Sequence, residues 1–199
     1  MRPLATLVSL APRQDYDGTE LRPHFLRTRF GVKGDAIVAF RGACSVVGRA
    51  LVDLEDRLAD DVIRSHDMIH FIVERFGADL PEMVFLQRLV AALAADRLRA
   101  GLDPARAATV RRDGDDVFVG DGKLSVSIAT VSPVSGLVHF AVNIDDRDTP
   151  VRTAALGPLG FPPEAFASGL VSDVAREIDT VIDALCKVSP AHGDGGAGR

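Results

Sequence analysis

Lys123 is the residue whose surroundings point most clearly to chemistry. It lies in the segment 121–129, DGKLSVSIA, where a glycine turn leads into an alternating strand. Lysine is depleted in strands, and an ammonium group on a buried strand face is costly unless an anion or a cavity receives it. We therefore expect Lys123 to hold a carboxylate or a phosphate. The alternative is a charge at a hairpin edge that prevents pairing with other sheets.

Ser125 and Ser127 follow Lys123 at intervals of two residues. Alternate residues of a strand point to the same face, so both hydroxyl groups are expected on the side of Lys123. There they could hydrogen-bond an anionic ligand, which makes them candidate substrate-binding residues. The alternative is that both are small polar residues on a solvated face.

Arg41 is the second candidate for binding an anion. It follows the dense apolar segment 36–40 and precedes Gly42, which would allow a ligand to approach the backbone. A guanidinium group suits bidentate binding of a carboxylate or a phosphate. The alternative is an internal ion pair with Asp53 or Glu55.

Two further clusters have residue types that bind metals. His66 and His70 are four residues apart in a predicted helix, which would place both imidazoles on one face. No third ligand is identified by its position, so we predict no metal site: His70 packs at the edge of the core and His66 is solvated. Asp53, Glu55 and Asp56 could bind magnesium, but we interpret them as charges at the start of a helix.

The elements that must position these residues follow from the hydrophobic periodicity. Strands are predicted over residues 3–10 and 35–44, and helices over residues 62–76 and 81–101 and from Gly169 or Ser172 to Val188. Residues 108–144 alternate with a period of two and are divided by glycine turns, which predicts an antiparallel meander. The order predicts an α+β fold, a largely antiparallel sheet flanked by helices.

Composition limits the class of protein. The chain has 199 residues, of which 47% are hydrophobic, and this predicts one domain over residues 1–188 with a glycine-rich, disordered tail at 189–199. A net charge of −5 argues against a nucleic acid partner, and no apolar run is long enough for a membrane span. We expect a cytoplasmic protein in which Cys44 and Cys186 are reduced thiols.

The segment 115–144 resembles the central part of the superfamily of biotin protein ligases and lipoate ligases, which shares the catalytic fold of class II aminoacyl-tRNA synthetases. The pattern has a strand, a glycine turn that delivers a lysine, a second strand, and a third strand with an alternating apolar run and an asparagine. Lys123 and Asn143 match those two positions, so the resemblance implies a catalytic lysine and a substrate-binding asparagine. His139, on the third strand, either reaches the pocket beside Lys123 or is a satisfied buried histidine.

The same stretch is similar to the lipoyl-group octanoyltransferases, which align from Lys123 to Asn143 without a gap. Their nucleophilic cysteine falls at Ser135 in this chain. Thioester exchange needs that cysteine together with the lysine, so octanoyl transfer is disfavoured. Ser135 is kept as a candidate substrate-binding residue.

The wider chain resembles the uncharacterised family known as domain of unknown function 366. The resemblance covers about residues 1–188 and rests on the segments 40–42 (FRG), 52–56 (VDLED), 70–72 (HFI) and 123–130 (KLSVSIAT). It implies a fold but no reaction.

Two function classes remain open. The first is an enzyme that binds a small carboxylic acid, with Lys123 as its electrostatic anchor and ATP and magnesium as candidate cofactors. The second is a non-catalytic ligand-binding or assembly protein on the same fold. Exposed sheet edges, together with the oligomers that members of the superfamily form, lead us to expect a homo-oligomer in either class. Convergence of Lys123 and Arg41 in one pocket would favour the enzyme.

Overall fold

The computed structural model describes residues 1–147 and 151–189, and the predicted tail lies outside these residues from position 190 onward. The helices are α1 (Phe25–Phe30), α2 (Leu54–Leu58), α3 (Leu80–Gly101), α4 (Pro104–Ala107), α5 (Leu156–Leu159) and α6 (Pro163–Lys187), with a short 3-10 turn at Gly48–Ala50. The strands are β1 (Ala5–Ser9), β2 (Ala36–Val47), β3 (Val62–Phe76), β4 (Val110–Asp113), β5 (Asp116–Val119), β6 (Gly122–Lys123), β7 (Ser125–Val131) and β8 (Ser135–Asn143).

The main sheet has five strands in the order β1-β2-β3-β8-β7. β1 runs parallel to β2, and the other neighbours are antiparallel. A smaller sheet, in the order β4-β5-β6, lies beside it. The predicted α+β class and the largely antiparallel sheet flanked by helices are confirmed.

The two faces of the main sheet bury different sets of side chains. The helical face packs against α3 and α6, and the opposite face, which we call the cavity face, packs against α1 and part of the loop before it. β2 shows the division, because Ile37 and Ala39 belong to the core on the helical face, whereas Val38 and Phe40 belong to the core on the cavity face.

The predicted helix at 81–101 is confirmed as α3. Asp79 caps its first turn, where the side chain accepts a hydrogen bond from the Glu82 N–H at 2.9 Å, and Pro81 occupies a position that needs no backbone donor. The final helix is confirmed in type but begins earlier, at Pro163. Its first turns bury Phe166 and Ala167 on the helical face.

The predicted helix at 62–76 was wrong, because these residues form β3. This strand lies in the middle of the main sheet and pairs with both β2 and β8. Both of its faces are buried over residues 68–75, so its apolar residues do not alternate. A short apolar run in a central strand cannot be separated from a buried helix by periodicity alone.

The predicted meander over 108–144 is confirmed as strands but divides between two sheets. β4 to β6 form the small sheet, and β7 and β8 form the end of the main sheet. Leu124 makes the junction: its N–H donates to the Val117 carbonyl at 2.8 Å, and its own carbonyl accepts from the Asn143 N–H at 3.0 Å. Lys123 therefore lies where the two sheets meet.

Candidate functional site

A cavity of about 650 Å³, which we call the outer cavity, lies at this junction. Its wall combines α2, the start of β3, the edge of the small sheet, the start of β7 and residues 151 and 153. Four residues predicted from the sequence lie in this wall: Lys123, Ser125, Ser127 and Asn143. The structure therefore brings together four of the seven candidate site residues.

The backbone of Lys123 is held on both sides. On one side β6 pairs with β5, and on the other the Lys123 N–H donates to the Arg152 carbonyl at 3.1 Å, while the Ala154 N–H donates to the Lys123 carbonyl at 3.0 Å. Gly122 makes this close approach possible, since a Cβ atom there would lie 2.7 Å from the Ala154 nitrogen and 2.8 Å from the Thr153 oxygen. A side chain at position 122 would displace the segment that fixes Lys123.

The ammonium group of Lys123 is paired with Asp116, at a distance of 2.8 Å between Nζ and Oδ2. The two side chains are 34% and 29% exposed, so water and a ligand can reach both. This is a single contact, and an exposed pair of this kind contributes at most about 1 kcal/mol. An incoming carboxylate can therefore exchange with Asp116 at little cost.

The hydroxyl groups of Ser125 and Ser127 are engaged inside the protein. The Ser125 oxygen accepts from the Val117 N–H at 2.8 Å, and the Ser127 hydroxyl donates to Asp115 at 2.7 Å. Both bonds hold the small sheet against β7. Because Leu124 separates β6 from β7, the serines do not continue the strand of Lys123, contrary to the expectation from spacing.

Asn143 braces the segment that carries Lys123. Its side chain is almost fully buried, and the Nδ2 atom donates to the Ala154 carbonyl at 3.3 Å, with the Lys123 carbonyl 3.5 Å away. Asn143 is thus positioned to fix the geometry of the cavity wall as well as to line it.

Negative charge dominates the wall of the outer cavity. Six aspartates line it: Asp53, Asp56, Asp60, Asp61, Asp115 and Asp116. Among the described residues, the cations that line this cavity are Lys123 and Arg64. Burial raises the pKa of Asp56, and neighbouring carboxylates, including Asp53, raise it further. Asp53 also caps a helix, since its carboxylate accepts from the Glu55 N–H at 2.8 Å, but this helix is α2 and not the one predicted at 62–76.

A second cavity of about 60 Å³, which we call the inner cavity, adjoins the first on the cavity face. The two share Asp53, Asp56, Ile63, Val126 and Ser127 in their walls. Most of the remaining wall is apolar, and its polar side chains are those of Tyr16, Cys44 and His139. Burial raises the pKa of the Cys44 thiol to about 12, so this cysteine is not a thiolate nucleophile near neutral pH.

His139 therefore lies beside the inner cavity, and not in the wall shared with Lys123. Its Nε2 atom is 3.1 Å from Nδ1 of His70, and Tyr16 stacks on its ring with centroids 3.8 Å apart. Burial lowers the pKa of His70 to about 4 and that of His139 well below its usual range. His70 is fully buried, deeper than predicted, whereas His66 is exposed on β3.

Arg41 lies outside both cavities. Its guanidinium group binds Asp67 in a bidentate arrangement, with Nε 3.0 Å from Oδ1 and Nη2 2.6 Å from Oδ2. Glu164, at the start of α6, is 4.0 Å away. The internal ion pair considered from the sequence exists, but with Asp67 as the partner. Arg41 and Lys123 do not converge in one pocket, so the criterion set from the sequence counts against the enzyme, and the case for it depends on Lys123 and the outer cavity.

Ser135 is also absent from both cavities. It is buried at the opposite end of β8 from Asn143, roughly 27 Å away at about 3.4 Å per residue. Its hydroxyl group donates to Glu74 at 2.9 Å, and Glu74 also accepts from the His24 N–H at 2.7 Å. Ser135 anchors a loop at that end of the sheet.

Sequence reasoning missed Asp116 and Tyr16. Asp116 is seven residues from Lys123 and faces it only because β5 and β6 form a hairpin. Tyr16 belongs to a loop without periodicity, and an isolated bridge to Cys44 places it against the sheet. The one available signal for Tyr16 was that the chain contains a single tyrosine, flanked by Asp15 and Asp17.

Comparison with known proteins gives the family of this chain. Residues 6–189 match the family described as "Domain of unknown function (DUF366)", and the chain belongs to that family. A curated relative, "Uncharacterized protein MJ0805" from Methanocaldococcus jannaschii, is 31% identical over 93% of this chain and 85% of its own length. The structure of a "Protein of Unknown Function" from Pyrococcus horikoshi is 34% identical, with a TM-score of 0.87 over 95% of this chain and all of that one.

More distant structures share the fold alone. The putative lipoate protein ligase Ta0514 from T. acidophilum has a TM-score of 0.59 at 13% identity and covers 89% of this chain and 86% of its own. A biotin protein ligase from Aquifex aeolicus has a TM-score of 0.57 at 12% identity, covering 92% and 73%. The predicted biotin and lipoate ligase-like fold is confirmed. Within residues 1–147 and 151–189, no helix has the length and apolar character needed to cross a membrane.

Proposed function

We propose that this protein is a ligase-like enzyme that binds a small carboxylic acid, with the carboxylate at Lys123 and the acyl part directed toward the inner cavity. One observation carries the proposal: a lysine with an exchangeable partner stands in the wall of a 650 Å³ cavity that adjoins a mostly apolar one. An acid with a charged head and a less polar tail matches this pair of environments.

Lys123 would act by electrostatics. Joining a carboxylate to a nucleotide brings two anions together, and a fixed ammonium group lowers their repulsion and stabilises the charge that develops. Asp116 would hold the ammonium group in place before the acid arrives, and Asn143 would keep the lysine segment rigid through its bond to the Ala154 carbonyl.

ATP and magnesium are the candidate cofactors. The aspartates of the outer cavity would repel a polyphosphate on its own, whereas carboxylate oxygens are the ligands that magnesium prefers. Within residues 1–147 and 151–189, however, no three carboxylate, imidazole or thiolate groups are arranged to hold a metal ion by themselves, so magnesium would have to arrive with the nucleotide. The chain has no Gly-rich phosphate loop of the Walker type, so a nucleotide would have to bind through other groups.

The ligand-bound structures of distant neighbours are consistent with this proposal. Ta0514 is described with bound lipoic acid, and the Aquifex aeolicus enzyme is described in complex with biotin and ATP. Lipoic acid and biotin are both small carboxylic acids. These descriptions belong to those proteins, and we extend the ligand class to this chain as part of the proposal.

A second function is supported by the charge of the outer cavity. The surplus of aspartates and the existing bond between Lys123 and Asp116 leave few cations for a nucleotide. A non-catalytic ligand-binding or assembly protein needs no nucleotide and would tolerate this arrangement. It would bind a small carboxylic acid without turning it over.

A thermal-shift screen separates the two functions. Wild-type protein, Lys123→Ala and the control Lys33→Ala, which removes an exposed lysine outside both cavities, are tested against carboxylic acids, ATP and GTP, with and without magnesium. A ligand at about 100 times its Kd should stabilise the native state by roughly 2.7 kcal/mol. Both functions predict an acid-dependent shift that is lost in Lys123→Ala alone, and its absence would contradict both.

The nucleotide decides between the functions. An additional shift with ATP and magnesium, together with acid-dependent release of pyrophosphate, would support the enzyme. A shift with an acid alone would support the binding protein.

We also propose that the protein is cytoplasmic and that it forms homo-oligomers through a free sheet edge. Light scattering of the purified chain would test the oligomeric state.

A further inference from the structure

Two polar groups of the inner cavity have no hydrogen-bond partner among the described residues. Tyr16 and His139 are each 4% exposed, and both line this cavity. No hydrogen bond involves the phenol oxygen of Tyr16 or the Nδ1 atom of His139. Neither atom is among the fully enclosed atoms that lack a partner, so both are open to the cavity, and a ligand there can supply a hydrogen bond to each.

The hydrogen-bond pattern fixes which of these groups donates. The Gly42 carbonyl, 3.4 Å from Nε2 of His70, can only accept, so that nitrogen carries the proton. Nδ1 of His70 then has a lone pair and accepts from Nε2–H of His139 at 3.1 Å. Nδ1 of His139 is left with a lone pair, because the ring is neutral. Tyr16 stays protonated, because burial raises its pKa, and so it presents a donor.

The rings that carry the two groups are stacked in the wall of the same cavity. The rings stack with centroids 3.8 Å apart and an interplanar angle of 10°, and both border the same small space. Its volume of about 60 Å³ corresponds to roughly two water molecules, at about 30 Å³ each. The inner cavity has room for a group of the size of a carboxamide, and the rest of a ligand would extend toward the outer cavity, with which it shares part of its wall.

We propose that the inner cavity recognises a compact group that accepts a hydrogen bond from Tyr16 and donates one to Nδ1 of His139, of which a carboxamide is the simplest example. As a statement about the far end of a carboxylic acid bound at Lys123, the inference rests on the proposed function. It adds to that function by specifying the far end of the bound acid, which would carry both a hydrogen-bond donor and an acceptor in place of a plain alkyl group. Sites built to hydrogen-bond such a group reject analogues that lack it.

Isosteric probes test the inner cavity on its own. Propionamide and butanone have the same size and the same carbonyl acceptor, but only the amide has an N–H donor. In wild-type protein with nitrogen-15-labelled histidine, propionamide should shift the Nδ1 resonance of His139 and bind at least about tenfold more tightly than butanone. Equal binding of the two probes would show that the cavity does not recognise the N–H donor, and no binding of either would show that it receives no such group; each result would overturn the inference.

Tyr16→Phe provides the matched variant, since it removes one hydroxyl group and keeps the stacked ring. The hydroxyl group has no partner to lose, so Tm should stay unchanged or rise slightly. Binding of propionamide should fall about tenfold, because the amide loses its donor. Unchanged amide binding in a folded Tyr16→Phe protein would contradict the assignment.

A second pair of probes separates this inference from the proposed function. The monoamide of adipic acid and the methyl ketone acid of the same length carry the same carboxylate and differ only at the tip. If the amide is still preferred in Lys123→Ala and both acids bind as tightly as to wild type, the inner-cavity inference is upheld and the carboxylate anchor is refuted. If the two acids bind equally tightly and both lose affinity in Lys123→Ala, the carboxylate anchor is upheld and the inner-cavity inference is refuted.

Discussion

The two faces of the main sheet hold their charges in different ways. On the helical face, Arg41 makes a bidentate ion pair with Asp67 next to α6 and lies outside the outer and inner cavities. At the junction beside the cavity face, Lys123 makes a single contact with Asp116 in the wall of a large cavity. A cation with several fixed bonds stabilises the fold, whereas a cation with one exposed contact is available to a ligand. The helical face should therefore govern stability, and the cavity face should govern binding.

The largest expected effect is on the helical face. Phe166 is fully buried between Phe71 and Phe161, so Phe166→Ala should lower the free energy of unfolding by about 3 to 5 kcal/mol. Phe85→Ala is the matched control on α3, because Phe85 is 77% exposed and its loss should change stability by less than about 0.5 kcal/mol. Urea denaturation measures the change in the free energy of unfolding for both variants. Similar changes would contradict the claim that the helical face governs stability.

The buried histidines of the cavity face should make stability depend on pH. His70 titrates near 4 in the folded protein and near 6.5 when unfolded, so the unfolded chain binds the proton first as the pH falls. The free energy of unfolding should therefore decrease between about pH 6.5 and about pH 4, with about 2 to 3 kcal/mol lost through His70. The pKa of buried His139 is lowered as well, so His70→Phe should reduce the slope of this part of the curve without removing it. Parallel curves for the two proteins would show that His70 is not the titrating group.

Removing Arg41 should have a moderate effect on stability. Arg41→Ala leaves the largely buried Asp67 with Arg13 as its remaining cation, at 3.1 Å, and we expect a loss of about 1 to 2 kcal/mol. Arg176→Ala removes an exposed arginine paired with Asp173 and should cost less than about 0.5 kcal/mol. Binding of carboxylic acids should be unchanged in Arg41→Ala. A loss of binding in this variant would place Arg41 in the site after all.

The smallest effect on stability is expected at Lys123. Lys123→Ala breaks one exposed ion pair and should change the free energy of unfolding by less than about 1 kcal/mol. A loss as large as that of Phe166→Ala would mark the lysine as a structural residue. The claim that Lys123 on the cavity side serves binding would then be contradicted.

Local signals in the sequence were enough to predict α3, and the type but not the start of α6. α3 has a capping aspartate, a proline in its first turn and a single buried face, all of which are readable from neighbouring residues. β3 has no such signals, because its environment is set by two partner strands that are distant in sequence. The error at residues 62–76 followed from that difference.

The site divides in the same way. Lys123 was recognisable because a glycine turn and a resemblance to ligases both mark it. Its partner Asp116, the contact between Arg41 and Asp67, and the stacking of Tyr16 on His139 all arise from tertiary contacts. No spacing rule within one element predicts such contacts, so the electrostatic setting of the site required the structure.

Titration calorimetry with the monoamide of adipic acid, which carries both the carboxylate and the polar tip proposed above, tests the central claim most directly. Wild-type protein is compared with Lys123→Ala and Asp116→Asn, which remove opposite members of one ion pair. If Lys123 receives the carboxylate in exchange for Asp116, Lys123→Ala should weaken binding about tenfold or more, and Asp116→Asn should strengthen it severalfold. Weaker binding in Asp116→Asn, or unchanged binding in Lys123→Ala, would contradict the account.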